Sequence, residues 1–328
     1  MDLILSAILI FVAFVLIFLG VFIIDIIRAK KHNQKYRFKP MLASFLFLLP
    51  AIVLAFFFVV LPIIYSLAYS FTDYNLLKPE QISFNGFDNF VKIFKDIASG
   101  GMLSHAIQNT LLFVVLVVPL QIGLALGLAL FCNVKVKGNF FFKVCFFTPV
   151  VISLTITSYL WLEILSPSET GLLNSFLGLF GVAPQDFINN PKMTIIWIVI
   201  ISAWQGCGYQ MLIFLSALSG IRKDLYEAAR LDGCNAWQRF LHVTLPGLRP
   251  TLLYITITVF IGACRIMVQP MLMVGYQENS VTLSYLMYYE GYSKHYVGYS
   301  AAIALIMTIV IGSITLLQRK FLGGKNNG

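Results

Sequence analysis

Seven apolar stretches, each close to the roughly twenty residues that cross a bilayer, restrict this chain to a membrane bundle. They run at 3–25, 42–66, 106–131, 145–165, 194–218, 251–273 and 298–318. Lipid offers no partner to open backbone N–H and C=O groups, so tilted helices are the form expected. The fold class expected is all-α, a polytopic transmembrane helical bundle. Only 11% of the residues are charged, against about 25% in soluble domains. The first run, Leu3 to Ile24, precedes the basic stretch Arg28 to Lys39. A signal peptide has the reverse order, so this run reads as a retained helix.

Lysine and arginine set the orientation. Connections one, three and five and the tail carry seventeen of them, Arg28, Lys143, Arg222 and Arg319 among them. The opposite side carries five: Lys78, Lys92, Lys95, Lys192 and Lys294. The rich side is expected to be cytoplasmic, with the N-terminus outside and the C-terminus inside. The formal charge of +9 is then a topology signal that requires no nucleic-acid partner. Five cysteines form no CxxC pair and read as buried thiols. His32, His105, His242 and His295 stand singly, without metal-ligand spacing.

Two outer connections, 67–105 and 166–193, exceed a turn. In the first, Phe87, Phe90, Val91 and Phe94 recur at helical spacing opposite Asp88, Lys92 and Lys95, which suits an interfacial helix or one covered by a partner. Pro50, Pro62, Pro119, Pro149 and Pro270 interrupt spans and either serve packing or mark a bundle built to change shape. Gly123 and Gly127 offer one close-contact face.

The cytoplasmic loop Ile221 to Pro250 is the most informative segment. Asp224 followed by Glu227 predicts a capped helix start; Leu225, Ala228 and Ala229 form a small apolar face; Gly233 predicts a stop. Asn235 with Gln238 predicts a restart, with Trp237, Phe240 and Leu241 as its apolar face and Leu245-Pro246 as its end. Two short helices with a glycine bend would fit a groove on another protein, or rest on the lipid surface.

Glu227-Ala228-Ala229, then Gly233, Val243 and Leu245-Pro246 at their spacing, resemble the EAA loop of binding-protein-dependent ABC importer permeases, with Val243 where Ile is usual. Ser70 to Tyr74, Gly86 to Phe90, Phe141 to Lys143, Gly171 to Asn174 and Gly298 to Ala302 resemble the carbohydrate-uptake branch. Val274-Gly275-Tyr276-Gln277 and Met267-Val268 depart from its pattern at the end of the sixth span.

The resemblance implies a six-helix permease core at 41–320, preceded by one extra span in 1–40 and followed by a tail at 321–328, in a bacterial inner membrane. It implies that Glu227, Ala228, Ala229, Asp232, Gly233, Leu245 and Pro246 couple to an ATPase. The expected partners are ABC ATPase subunits, a second and different permease subunit, an extracytoplasmic solute-binding protein and membrane lipid. No cofactor is expected on this chain; ATP and Mg would be bound by the ATPase, for no GxxxxGK[ST] phosphate loop occurs here. Mono- or oligosaccharides are the implied cargo, with polyols or glycerol phosphates as alternatives.

Polar residues inside spans, Gln121, Trp204, Gln205, Arg265 and Gln269, either meet solute or join helix to helix. An ion-coupled carrier would share the hydropathy. It usually needs a carboxylate deep in the bundle, whereas Asp25 and Glu163 fall near span ends.

Overall fold

The computed structural model describes residues 38–134 and 138–322, together with Gly20. The expected first span at 3–25, the basic run up to Arg37, Lys135, Lys137 and residues 323–328 lie outside the described residues. Among those described, five helices are long and apolar enough to cross a membrane, and a pair of shorter helices bent at their junction makes a sixth if counted as one span.

Helix α1 (Phe38–Ala55) runs through the π-helical turn Phe56–Val60 into α2 (Leu61–Tyr69). A long loop leads to α3 (Asp88–Ala98), and α4 (Met102–Asn133) follows without a break despite Pro119. The fourth span, expected as one helix at 145–165, is instead α5 (Asn139–Val151) and α6 (Leu154–Ile164), bent by 100°. The local sequence accounts for this. Pro149 removes a helical N–H donor, Ile152 is extended, and Ser153 caps α6 by accepting from the Ile156 amide at 3.3 Å. Hydropathy alone averages over such a break.

Beyond α7 (Leu172–Gly178), α8 (Thr194–Gly220) is the central helix and packs most extensively on α4. Their seam buries Ala125, Ala129, Met211 and Phe214 near one end and Phe113, Val117, Ile198 and Ala203 near the other. Gly208 lets α5 come close, because a Cβ there would overlap the Phe146 carbonyl oxygen. The Gly123 and Gly127 face, expected to make a close contact, meets no heavy atom of the described chain.

The loop after α8 holds α9 (Lys223–Leu231) and α10 (Ala236–Arg239). Expected to end at Leu245-Pro246, the second helix continues instead. A π-helical turn, Phe240–Thr244, precedes Leu245–Gly247 and widens the spiral where Pro246 lacks an N–H, and α11 (Arg249–Cys264) follows. The sixth span, expected over 251–273, is broken at Arg265 to Met267 and resumes as α12 (Val268–Met273). A further short helix, α13 (Leu283–Tyr288), with a π turn at Tyr289–Ser293, packs over the outer end before α14 (Val297–Leu322).

Candidate translocation site and coupling loop

Both helix breaks face one cavity of about 500 Å³. Each break frees backbone carbonyls that lipid cannot satisfy, so neighbouring side chains must. At the first, Gln205 Nε2 donates to the Ile152 carbonyl at 3.0 Å. At the second, Thr282 Oγ1 donates to the Ile266 carbonyl at 2.6 Å and Ser284 Oγ to that of Cys264 at 3.4 Å. Gln205 Oε1 in turn accepts from Gln269 Nε2 at 3.5 Å, and Gln269 Oε1 accepts from Ser202 Oγ at 2.7 Å. One turn further along α8, Gln210 Oε1 accepts from Gln121 Nε2 at 3.1 Å. A Cβ at Gly206 would overlap that Gln121 amide, so the glycine makes room for it.

The cavity therefore gathers four of the five expected polar residues, Gln121, Gln205, Arg265 and Gln269. The three amides join helix to helix and line the space at once, so the two readings of them coincide. The Arg265 side chain reaches the same cavity from the second break, exposed and with no carboxylate of the described residues paired to it. Trp204 is elsewhere: it lies edge to face with Trp161 at 5.6 Å, on another side of α8, and does not line the cavity. Sequence reasoning passed over Ser202, Gln210 and Ser284. Ser202 and Gln205 lie three apart on one helical face, a spacing that signals a shared polar stripe.

Replacing Gln205 by Leu leaves the Ile152 carbonyl and the Gln269 amide without their partner. An unmet buried group costs about 1–3 kcal/mol in water-soluble proteins, although membrane double-mutant cycles average nearer ~0.6 kcal/mol. The expected result is a Tm within a few degrees of wild type with the apparent KM for solute raised about tenfold, which corresponds to about 1.4 kcal/mol. Uptake kinetics on vesicles, set beside thermal melts, check both halves.

At the other end of α8, the loop presents its helices outward. Arg222 precedes α9 in extended conformation and its guanidinium pairs with Asp224, holding that carboxyl below the usual carboxylate range. Asp224 thus sits inside the first turn, and the cap expected from Asp224 and Glu227 does not form. Gly233 stops α9 with φ +75°, while the Cys234 and Asp232 amides donate back to the Ala229 and Ala228 carbonyls, each at 2.9 Å. Asn235 and Gln238 form the expected reciprocal box, both bonds at 2.8 Å. Tyr226 meets the Thr244 hydroxyl at 2.9 Å, tying α9 to the π turn. Glu227, Ala228, Asp232, Gly233 and Pro246 are exposed; Ala229 and Leu245 are half-buried. Leu231 at 90% and Trp237 at 65% exposure leave apolar side chains in the open.

Residues 43–324 match the family of binding-protein-dependent transport system inner membrane components. The chain belongs to that family. The permease is 32% identical over 287 residues to the arabinooligosaccharides transport system permease protein AraP of Bacillus subtilis (strain 168), covering 86% of this chain and 88% of AraP. It is 30% identical over 284 residues to the lactose transport system permease protein LacF of Rhizobium radiobacter, covering 84% and 92%. A chain of a bacterial alginate ABC transporter, solved in complex with alginate pentasaccharide-bound periplasmic protein, superposes with a TM-score of 0.76 at 25% identity, over 86% of the permease and 94% of that chain. The permease is thus an inner-membrane transport subunit with the all-α importer fold, and nothing among these relatives supports an ion-coupled carrier.

Several stretches that resemble the carbohydrate branch meet in the permease as one structural clamp. Asn89 Nδ2 donates to the carbonyls of Ser70 at 3.0 Å and Thr72 at 2.8 Å, and the Gly298 amide donates to the Tyr74 carbonyl at 3.0 Å. A Cβ at Gly298 would overlap the Thr72 carbonyl oxygen. Asn174 likewise closes the second outer loop on Ser166 and Gln185, at 3.0 Å to each carbonyl. Helix α3 buries Asn89 and Ile93; of the apolar face expected from the sequence, Phe87 just before the helix and Val91 and Phe94 on it are exposed, while Phe90 is half-buried.

Proposed function

We propose that this permease carries a mono- or oligosaccharide through the cavity at the two helix breaks, driven by ATPase subunits that dock on the loop 221–250. The observation that carries the reading is the cavity itself. Broken spans place fixed backbone and amide groups at membrane depth, the arrangement in which transporters bind polar solutes. Three glutamine amides and a guanidinium offer donors and acceptors to hydroxyl groups, and the cargoes named for AraP and LacF are saccharides.

Glu227, Ala228, Ala229, Asp232, Gly233, Leu245 and Pro246 form the coupling element. Small side chains at 228 and 229 permit close approach, and the exposed Leu231 and Trp237 supply apolar contact. ATP and Mg belong to the ATPase, and this chain contributes shape change alone. A second, different permease completes the path. An extracytoplasmic binding protein delivers solute, as the periplasmic protein bound to the alginate transporter suggests by analogy. The basic loop residues Arg222, Lys223 and Arg230 support a cytoplasmic position for that end, in a topology of six core spans, an extra first span and the N-terminus outside.

Gentle solubilisation from native membranes followed by mass spectrometry tests the assembly. Recovery of a Walker-motif ATPase and a second permease bearing an EAA loop is the expected result. Emergence of this chain alone under several mild detergents would overturn the coupling assignment.

A further inference from the structure

We infer that the permease has a second saccharide site, at its outer end and separate from the membrane cavity, between α3, the segment 276–296 and the start of α14. The ligand class rests on the saccharide reading above; the site itself rests on its own geometry. The cleft encloses about 480 Å³, close to the 500 Å³ of the inner cavity and within the roughly 300–1,000 Å³ usual for small-ligand sites.

Its lining combines ring faces with charges of both signs. Lys92 Nζ stands 4.3 Å from the Tyr299 ring centre and 5.4 Å from that of Tyr296. Glu290, only 7% exposed, accepts from Lys294 Nζ at 2.6 Å. Asp96 accepts from the Leu103 amide at 2.8 Å, and Lys95 and Ser99 complete the rim. A phosphate or sulfate site would gather cations without carboxylates among them. Interspersed donors, acceptors and tyrosine faces suit a polyhydroxylated ring, whose hydroxyls both donate and accept and whose C–H faces pack on aromatics.

Two independent observations point to a ligand. Tyr276 lines this cleft, and its hydroxyl, buried behind the ring, has no hydrogen-bond partner in the described protein. Burial and the nearby Glu290 push its titration up, so it remains a donor at any physiological pH. A buried unmet donor is costly, and a shift of the Tyr276 ring toward the cleft would let a sugar hydroxyl satisfy it. Next to Tyr296, His295 holds φ at +63°, the one non-glycine residue among those described in that region. Such backbone strain persists where surrounding structure imposes it and clusters at binding sites.

The cleft also adjoins the inner cavity. Helix α13 and its π turn divide the two chambers: Ser284 and Met287 line the inner cavity, while Leu286 and Glu290 line the outer cleft. A sugar held outside is therefore one helix thickness from the membrane cavity.

The test uses the assembled importer in right-side-out vesicles, without binding protein, and a Ser99→Cys variant labelled by a membrane-impermeant maleimide. The probe is arabinotriose or lactose, whichever the wild-type importer takes up when binding protein is supplied. At a sugar concentration about twice Kd, labelling is expected to slow about threefold. Tyr296→Ala and, separately, Lys95→Ala in the same background should remove that protection. Equal labelling with and without a sugar that the vesicles transport overturns the outer site and leaves the transport function standing. Protection by glycerol phosphate in place of sugar overturns its saccharide character. Uptake of neither sugar removes the cargo reading, and with it the ligand assigned to the cleft.

Discussion

Gly233→Asp is expected to reach the membrane at wild-type abundance while ATP-driven uptake falls about 100-fold. The backbone at 233 is left-handed, with φ +75°, a region that costs most L-residues roughly 1–2 kcal/mol but that aspartate tolerates better. No heavy atom of the described chain lies within 4 Å of a Cβ placed there. The fold therefore has room for the side chain, and under the proposed coupling that space is where the ATPase would dock. Within that contact the carboxylate would be desolvated without a partner, at a cost of several kcal/mol, and each 1.4 kcal/mol is a factor of ten. Uptake and ATP hydrolysis, measured together in proteoliposomes, should separate: hydrolysis persists and transport is lost. Normal uptake at equal abundance would defeat the coupling role of this loop.

Gly208→Val acts at the opposite extreme, on the fold itself. A Cβ at 208 overlaps the carbonyl oxygen of Phe146 and lies 3.1 Å from Phe147 Cα. These are backbone atoms of α5, so relief requires moving the helix. α5 ends at the Ile152–Ser153 break, whose carbonyl is held by Gln205, less than one turn before Gly208 on α8. Displacing α5 thus strains the first break and the amide ladder together. Overpacking of this kind costs about 1–3 kcal/mol and more where backbone must yield. The expected result is a drop of about tenfold or more in monodisperse protein by size-exclusion chromatography in mild detergent. Gly208→Ala should fall in between. An unchanged profile for the valine variant would mean that α5 and α8 are not packed as described.

The spans were readable because burying a backbone in lipid demands long apolar helices, and composition records that demand directly. The glycine stop at 233 and the Asn235–Gln238 box were readable for a different reason: both depend on residues within four positions of one another. What escaped was wherever a long-range partner decides the local form. Ile152 and Ser153 sit in an apolar run that reads as continuous helix; the break becomes tolerable only because Gln205, distant in sequence, meets the freed carbonyl. Pro246 looked terminal, yet the π turn beneath it absorbs the missing donor. Trp204 and Gln205 are neighbours in sequence but sit about 100° apart around a helix, so grouping them as one site ignored which side faces inward. The outer cleft draws residues from α3, 276–296 and α14, and no single window contains them.

The continuity of the chain through Pro246 has a mechanical consequence. Helix α11, 16 residues long, spans about 24 Å at 1.5 Å per residue, and joins the coupling loop at one end to the Arg265 break at the other. If an ATPase docks on the loop as proposed, this helix would work as a crank arm. A tilt of about 5° imposed at the loop sweeps the far end of such an arm through about 2 Å, enough to part or make a hydrogen bond. Because the span is severed at Arg265, that throw is delivered at the cavity wall instead of being passed on to α12. On the proposed coupling, a push on the loop would in this way be converted, by one stiff rod and one joint, into the opening and closing of a chamber about 24 Å away.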